Sequence, residues 1–99
     1  MVIKVNSVSM TWVKENLDHI NLIDIRPVIK YNNGHIPNSK NIPHELLLSN
    51  PTKYLNKDNS YFLYCQKGIT SIKVTNVLSR QGYKVASVEG GYERYILMN

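Results

Sequence analysis

Cysteine occurs only once in the 99 residues, as Cys65. A single cysteine forms no internal disulfide, so the fold must stand on packing, which suits a reducing compartment and leaves the thiol free. Glycine and proline are scarce as well, at five and four residues, too few for a disordered chain beside a hydrophobic content of 42%. No stretch approaches the ~20 apolar residues of a membrane span. Residues Met1 to Ser7 lack the unbroken apolar core of a signal peptide, so the expected location is the cytoplasm. Basic residues outnumber acidic ones to give a net charge of +5, yet no two of them are adjacent. No ribonucleoprotein-type aromatic motif or metal-finger spacing accompanies them, so nucleic acid is not an expected partner. The positive bias fits a solvated surface that draws small anions toward a concave site. Clustered Cys/His spacing for zinc is missing, and no paired carboxylates suggest glycosidase chemistry. Neither a metal nor an organic cofactor is expected, and no membrane partner. Without repeats, low-complexity tracts or linkers, residues 1–99 are expected to form one domain.

The remaining residues pattern as alternating strands and helices. Ile3-Lys4-Val5 is a short strand candidate, and Ser9 caps a helix running to about Asn16. Leu22 to Ile25 is a β-branched, apolar strand; Pro27 opens a short helix toward Tyr31, ended by Asn32-Asn33-Gly34. Lys40-Asn41-Ile42 is a weak strand, His44 to Ser49 a short helix, and Asn50-Pro51-Thr52 a break. Tyr61 to Tyr64 is a strand, and Ser71 to Gln81 a helix with Val74, Val77, Leu78 and Gln81 on one face and Gly82 as its cap. Val85 to Val88 and a helix from Gly90-Gly91 through about Leu97 complete the chain. Such alternation implies a parallel sheet covered on both faces, with ligands at the carboxyl ends of strands. Trp12, Tyr61, Tyr64, Tyr92 and Tyr95 are expected as core and rim contacts, the tyrosine hydroxyls reaching solvent. His19 and His44 read as surface or cap residues.

Cys65 sits at one such strand end. The following loop, Cys65-Gln66-Lys67-Gly68-Ile69-Thr70, leads into the helix. A thiol there faces unpaired backbone N–H groups and the positive end of a helix, which favours the reactive thiolate. Gly68 permits a positive φ, so successive N–H groups can form an anion-binding nest. Lys67 adds a formal charge, and Thr70 and Ser71 offer hydroxyl donors or caps. A phosphatase-type cradle needs arginine six residues after the cysteine, where this chain has Ser71. A Cys-x-x-Cys redox pair fails because its second member is Gly68.

These residues resemble the active-site loop of rhodanese-type sulfurtransferases, in the Cys-x-Lys-Gly-x-Thr form. Three further segments are similar to the family's, in its order and spacing: Leu22-Ile23-Asp24-Ile25-Arg26, Tyr31-Asn32-Asn33-Gly34-His35-Ile36-Pro37 and Val88-Glu89-Gly90-Gly91-Tyr92-Glu93-Arg94-Tyr95. The resemblance spans essentially the whole chain. It implies an α/β, rhodanese-like three-layer fold with a central, mostly parallel five-stranded sheet and helices on both faces. It also implies that Cys65 is the catalytic nucleophile, carrying a persulfide. Gln66, Lys67, Gly68, Ile69, Thr70 and Ser71 would bind the substrate, with Asp24, Arg26 and His35 in support. The implied partners are a small anionic sulfur donor such as thiosulfate and a cyanide or thiol acceptor, or a protein in a sulfur relay. Asp24 and Arg26, two apart on a strand, share a face; an ion pair or strand-end bonding is expected of Asp24, while Arg26 divides between structure and function. His35 is expected as a turn residue whose ring packs or hydrogen-bonds, because a thiolate held by N–H groups needs no base. Three departures stand out: Gln66 where thiosulfate-preferring members often have arginine, Lys30 where glutamate is usual, and Asn38-Ser39 for a Gly-Ala pair. On this reading Lys67 is the sole cation of the cradle.

Overall fold

Apolar residues of both parities along the middle strands fill two cores, one on each side of a parallel sheet. The computed structural model describes residues 6–98. Its elements in chain order are β1 (Ser7–Val8), α1 (Met10–Glu15), β2 (Asn21–Asp24), α2 (Val28–Asn33), β3 (Lys40–Asn41), α3 (His44–Ser49), α4 (Pro51–Tyr54), β4 (Ser60–Tyr64), α5 (Ile69–Arg80), β5 (Lys84–Val88) and α6 (Gly91–Leu97). The five strands lie in the order β1-β5-β4-β2-β3, every neighbouring pair parallel. The expected strand at Ile3-Lys4-Val5 lies outside the described residues.

Successive side chains of a strand point to opposite faces, which sorts the core into two layers. Ile23, Leu63 and Val85 join Leu47, Leu55, Val74 and Leu78 beneath α3, α4 and α5. Leu22, Tyr64 and Val88 join Met10, Val13 and Ile36 on the other face, against α1 and α6. The expected three-layer arrangement is therefore observed.

Four local expectations change. Pro51 does break α3, but it also serves as the first residue of α4, where its fixed φ and missing N–H are harmless. Helix α5 starts at Ile69 rather than Ser71, because Gly68 in the left-handed conformation (φ 94°) supplies the cap. Its buried face is Ser71, Val74, Thr75 and Leu78, while Val77 is 41% exposed. The two small hydroxyl residues lie against the sheet, which rotates the face away from Val77 and Gln81. Finally, the Tyr64 hydroxyl does not reach solvent: it accepts from Ile36 N at 3.1 Å and lies 3.1 Å from Ser39 Oγ.

Topology then places the site. The chain leaves β2 toward β3 on one side and leaves β4 toward β5 on the other. Adjacent strands whose connections diverge leave a crevice at their carboxyl ends, the usual ligand position in such sheets. The register pairs Asp24 with Tyr64, so Arg26 leaves β2 level with Gln66, one residue past Cys65, at that crevice.

Candidate active site

Strand β4 ends at Tyr64, and Cys65 opens the turn into α5. The left-handed Gly68 reverses the backbone so that the first N–H groups of α5 point back at the cysteine. Gly68 N donates to Cys65 Sγ at 3.1 Å and Ser71 N at 3.3 Å. These are among the helix-start N–H groups that have no partner within the helix, and they carry the positive end of its dipole. A third contact joins Sγ to Ser71 Oγ at 3.4 Å, and Ser71 Oγ lies 2.7 Å from Ser87 Oγ on β5. Cys65 is largely buried, at 5% exposure, yet it forms part of the wall of an open cavity of about 350 Å³.

That cavity is lined by Lys30, Cys65, Gln66, Lys67, Ile69 and Thr70. Among the described residues neither lysine makes an ion pair with a carboxylate, and no carboxylate lines the cavity. Lys30 and Lys67 therefore both line the cavity that Cys65 lines. This corrects the expectation of a single cation at Lys67. Lys30 comes from α2, which the fold of β2 and α2 brings over the loop after β4.

Asp24 and Arg26 form a buried pair of the structural kind expected for the aspartate. Arg26 Nε contacts both carboxylate oxygens, at 3.1 and 3.0 Å, and Nη2 reaches Oδ2 at 2.7 Å. The remaining guanidinium donors leave the pair: Nη2 also bonds Gly34 O at 2.7 Å, and Nη1 bonds Gln66 Oε1 at 3.1 Å. The Arg26 guanidinium sits 4.1 Å from the Tyr92 ring centroid, a cation–π distance. Tyr92 in turn donates its N–H to Cys65 O at 2.8 Å, and Glu93 N to Gln66 O at 3.0 Å. Arg26 thus links β2, the Gly34 turn, the cysteine loop and α6. Burial lowers its pKa, but the Asp24 carboxylate outweighs that and leaves the guanidinium pKa above its ordinary value.

Gly91 permits the close approach of α6. Its φ is +61°, and a Cβ there would overlap the Cys65 carbonyl oxygen and stand 2.7 Å from that of Gln66.

His35 stacks on Tyr31 with centroids 3.8 Å apart and hydrogen-bonds Tyr31 O through Nδ1 at 2.9 Å. It is a turn residue, as its position implies, and does not line the cysteine cavity. Two members of the site went unread in the sequence. Lys30 was noted there only as a departure, and Ser87 gave no signal, being a polar residue within an apolar strand. Among the described residues no group of three or more His, Cys, Asp or Glu could hold a metal ion, and no helix is long and apolar enough to cross a membrane.

A family model for the rhodanese-like domain matches residues 9–97. The protein YtwF of Bacillus subtilis (strain 168) is 31% identical over 93 residues, covering 89% of this chain and 87% of that one. A protein of Allochromatium vinosum named sulfurtransferase is 28% identical over 92 residues, covering 92% and 85% respectively. Among solved structures, a rhodanese-related protein from Thermoplasma volcanium superposes with a TM-score of 0.84 at 30% identity, covering 93% of this chain and 91% of that one.

Proposed function

The chain belongs to the rhodanese-like sulfurtransferase family, and we propose that it moves a sulfane sulfur from a donor such as thiosulfate to cyanide or a thiol through a persulfide on Cys65. The observation that carries this reading is Cys65, whose sulfur accepts from two backbone N–H groups and which lines a cavity together with Lys30 and Lys67.

In the first half-reaction the Cys65 thiolate attacks the outer sulfur of thiosulfate. A new sulfur–sulfur bond forms, the old one breaks, and sulfite leaves with the bonding electron pair. Charge is conserved, since thiolate and a dianion become persulfide anion and sulfite dianion. Lys30 and Lys67 attract the donor's oxyanions, and the loop N–H groups stabilise anionic sulfur without reorganising. In the second half-reaction cyanide or a thiolate attacks the outer persulfide sulfur, and Cys65 leaves as thiolate. The cycle is a double displacement that needs neither a base nor an external oxidant or reductant, because the donor supplies sulfane sulfur and Cys65 ends as the thiolate it began as. The direct test is thiocyanate formation from thiosulfate and cyanide. Activity absent from Cys65→Ser but present in the native chain supports the reading; no activity with thiosulfate and no sulfur on Cys65 with any donor sinks it.

A second reading, a protein-binding sulfur-relay or regulatory module, draws on one observation. Ile69 and Ile72 are 61% and 42% exposed on the first two turns of α5, beside the cysteine. An apolar edge next to a buried nucleophile suits docking of a protein acceptor. A persulfide that forms on Cys65 but passes to a protein thiol far faster than to cyanide would favour this reading.

A further inference from the structure

We infer that Ser87 is a positioning residue for Cys65, turning the Ser71 hydroxyl onto the sulfur when the thiol ionises. The inference deepens the sulfurtransferase reading and rests on Cys65 as its reacting group. Ser87 follows Val85 by two residues on β5, so both face α5. At that position an apolar side chain would continue the core; instead a hydroxyl is 1% exposed, and Ser71 beside it is fully buried. A hydroxyl buried without a partner is costly, and the partner of Ser87 is Ser71 Oγ at 2.7 Å.

The direction of the protons distinguishes two states. In the thiol form, Sγ–H donates to Ser71 Oγ at 3.4 Å, and the single Ser71 proton is directed to Gly68 O at 3.3 Å or to Ser87 Oγ. Once the thiol proton leaves to solvent through the cavity, sulfur can only accept. Ser71 has one proton to offer, and turning it to sulfur leaves the Ser71 oxygen needing a donor. Ser87 supplies it, giving a chain Ser87 to Ser71 to sulfur that adds a third donor to the Gly68 and Ser71 N–H groups. Hydrogen bonds aligned in this way polarise one another.

The charged groups around the sulfur lie elsewhere. They are Lys30 of α2 and Lys67 of the loop, with the Asp24–Arg26 pair of β2 reaching the loop through Gln66 and Glu89, just past β5, lining a neighbouring cavity with Ser87 and Lys67. From α6, Glu93 touches the loop through its backbone N–H. From α5 and β5 only the uncharged Ser71 and Ser87 join the sulfur's hydrogen-bond chain. A change confined to Ser87 therefore leaves every charge in place.

The test compares Ser87→Thr with Ser87→Val, two side chains of one shape that differ by the hydroxyl. The measurement is the rate of Cys65 alkylation by iodoacetamide across pH. Ser87→Thr is expected to match the native protein within about twofold, whereas Ser87→Val reacts roughly three- to tenfold more slowly at pH 7, the worth of one net hydrogen bond. The Val profile should rise at higher pH and converge with the native rate where the thiol is fully ionised. A Val variant that tracks Thr, or that is slower by one constant factor at every pH, overturns the inference. Should neither variant fold, the Ser87 hydroxyl proton resonance of the native chain replaces them. It is expected to move as Cys65 titrates, and an unmoved resonance would contradict the role. No sulfur donor enters either measurement, so failure of the transfer assay leaves this result standing.

Discussion

Arg26 Nη1 donates to Gln66 Oε1 at 3.1 Å, joining the end of β2 to the cysteine loop forty residues away in sequence. Arginine has donors only, so the glutamine must turn its oxygen toward it. The Gln66 amide nitrogen is left on the far side, as a neutral donor. The same guanidinium neutralises the buried Asp24. One side chain therefore both satisfies a core carboxylate and sets the rotamer of a cavity-lining residue.

Removing that side chain should be severe. Arg26→Met leaves the buried Asp24 carboxylate unpaired, and breaking such a pair costs about 3–5 kcal/mol. For a domain of this size the melting temperature should fall by roughly 12 °C or more. Arg26→Lys keeps the charge but not the forked geometry, and should recover only part of the loss. Thermal unfolding of both variants checks the order; a Lys variant as stable as the native protein would contradict it.

Tyr64 should make the fold sensitive to alkali. Burial, reinforced by the nearby Asp24 carboxylate, raises its pKa well above the usual value. The folded state therefore holds the phenolic proton more tightly than the unfolded chain, whose tyrosines titrate near ~10. Stability from this source is complete below that pH and is lost as pH rises beyond it. Tyr64→Phe should cost about 1–2 kcal/mol at neutral pH, since Ile36 N loses its partner and Ser39 Oγ keeps only Ile36 O. It should also flatten the alkaline decline. Denaturant titrations above pH 10 that fall equally steeply in both proteins would refute the assignment.

The two cavity lysines should act on donor binding. Lys30→Ala and Lys67→Ala are each expected to raise the thiosulfate KM about three- to tenfold, with kcat little changed, the pattern of lost uniform binding. Both effects should shrink at high salt, because exposed charges are screened. Steady-state kinetics at two ionic strengths decide; a KM that is indifferent to Lys30 would remove it from the site.

Gly91→Ala probes the seam between α6 and the loop. A side chain at φ +61° is strained, and its Cβ would overlap the Cys65 carbonyl. The substitution should destabilise by about 2 kcal/mol or more and slow persulfide formation, because the loop must move. Native stability in this variant would mean that the loop does not depend on α6.

Thr75 tests the opposite case. Its hydroxyl is buried in α5 against the sheet and has no hydrogen-bond partner among the described residues. Thr75→Val should be neutral or stabilising by up to about 1 kcal/mol, since it removes an unsatisfied polar group without changing shape. A clear loss in chemical denaturation would show that the hydroxyl has a role.

Much of this architecture was legible in the sequence, because strand alternation, glycine caps and the run from Cys65 to Ser71 are local signals. Cys65, Gly68 and the α5 start needed only backbone reasoning, which missed the helix onset by two residues. What was hidden depends on tertiary placement. The burial of Ser71 and Thr75 follows only from the sheet that covers them. The Tyr64 hydroxyl finds Ile36 and Ser39 only when the turn after α2 folds over β4. Lys30 enters the site because α2 lies over the cysteine loop, and Ser87 because β5 neighbours β4. None of these carries a spacing that a linear reading could detect.

The most direct measurement is the intact mass of the protein after incubation with thiosulfate, before and after cyanide. Sulfur transfer through Cys65 predicts a gain of one sulfur atom per chain, localised to the Cys65 peptide, removed by cyanide and absent in Cys65→Ser. An unchanged mass with thiosulfate and with a thiol persulfide alike, or an adduct that survives the Cys65→Ser substitution, would contradict it.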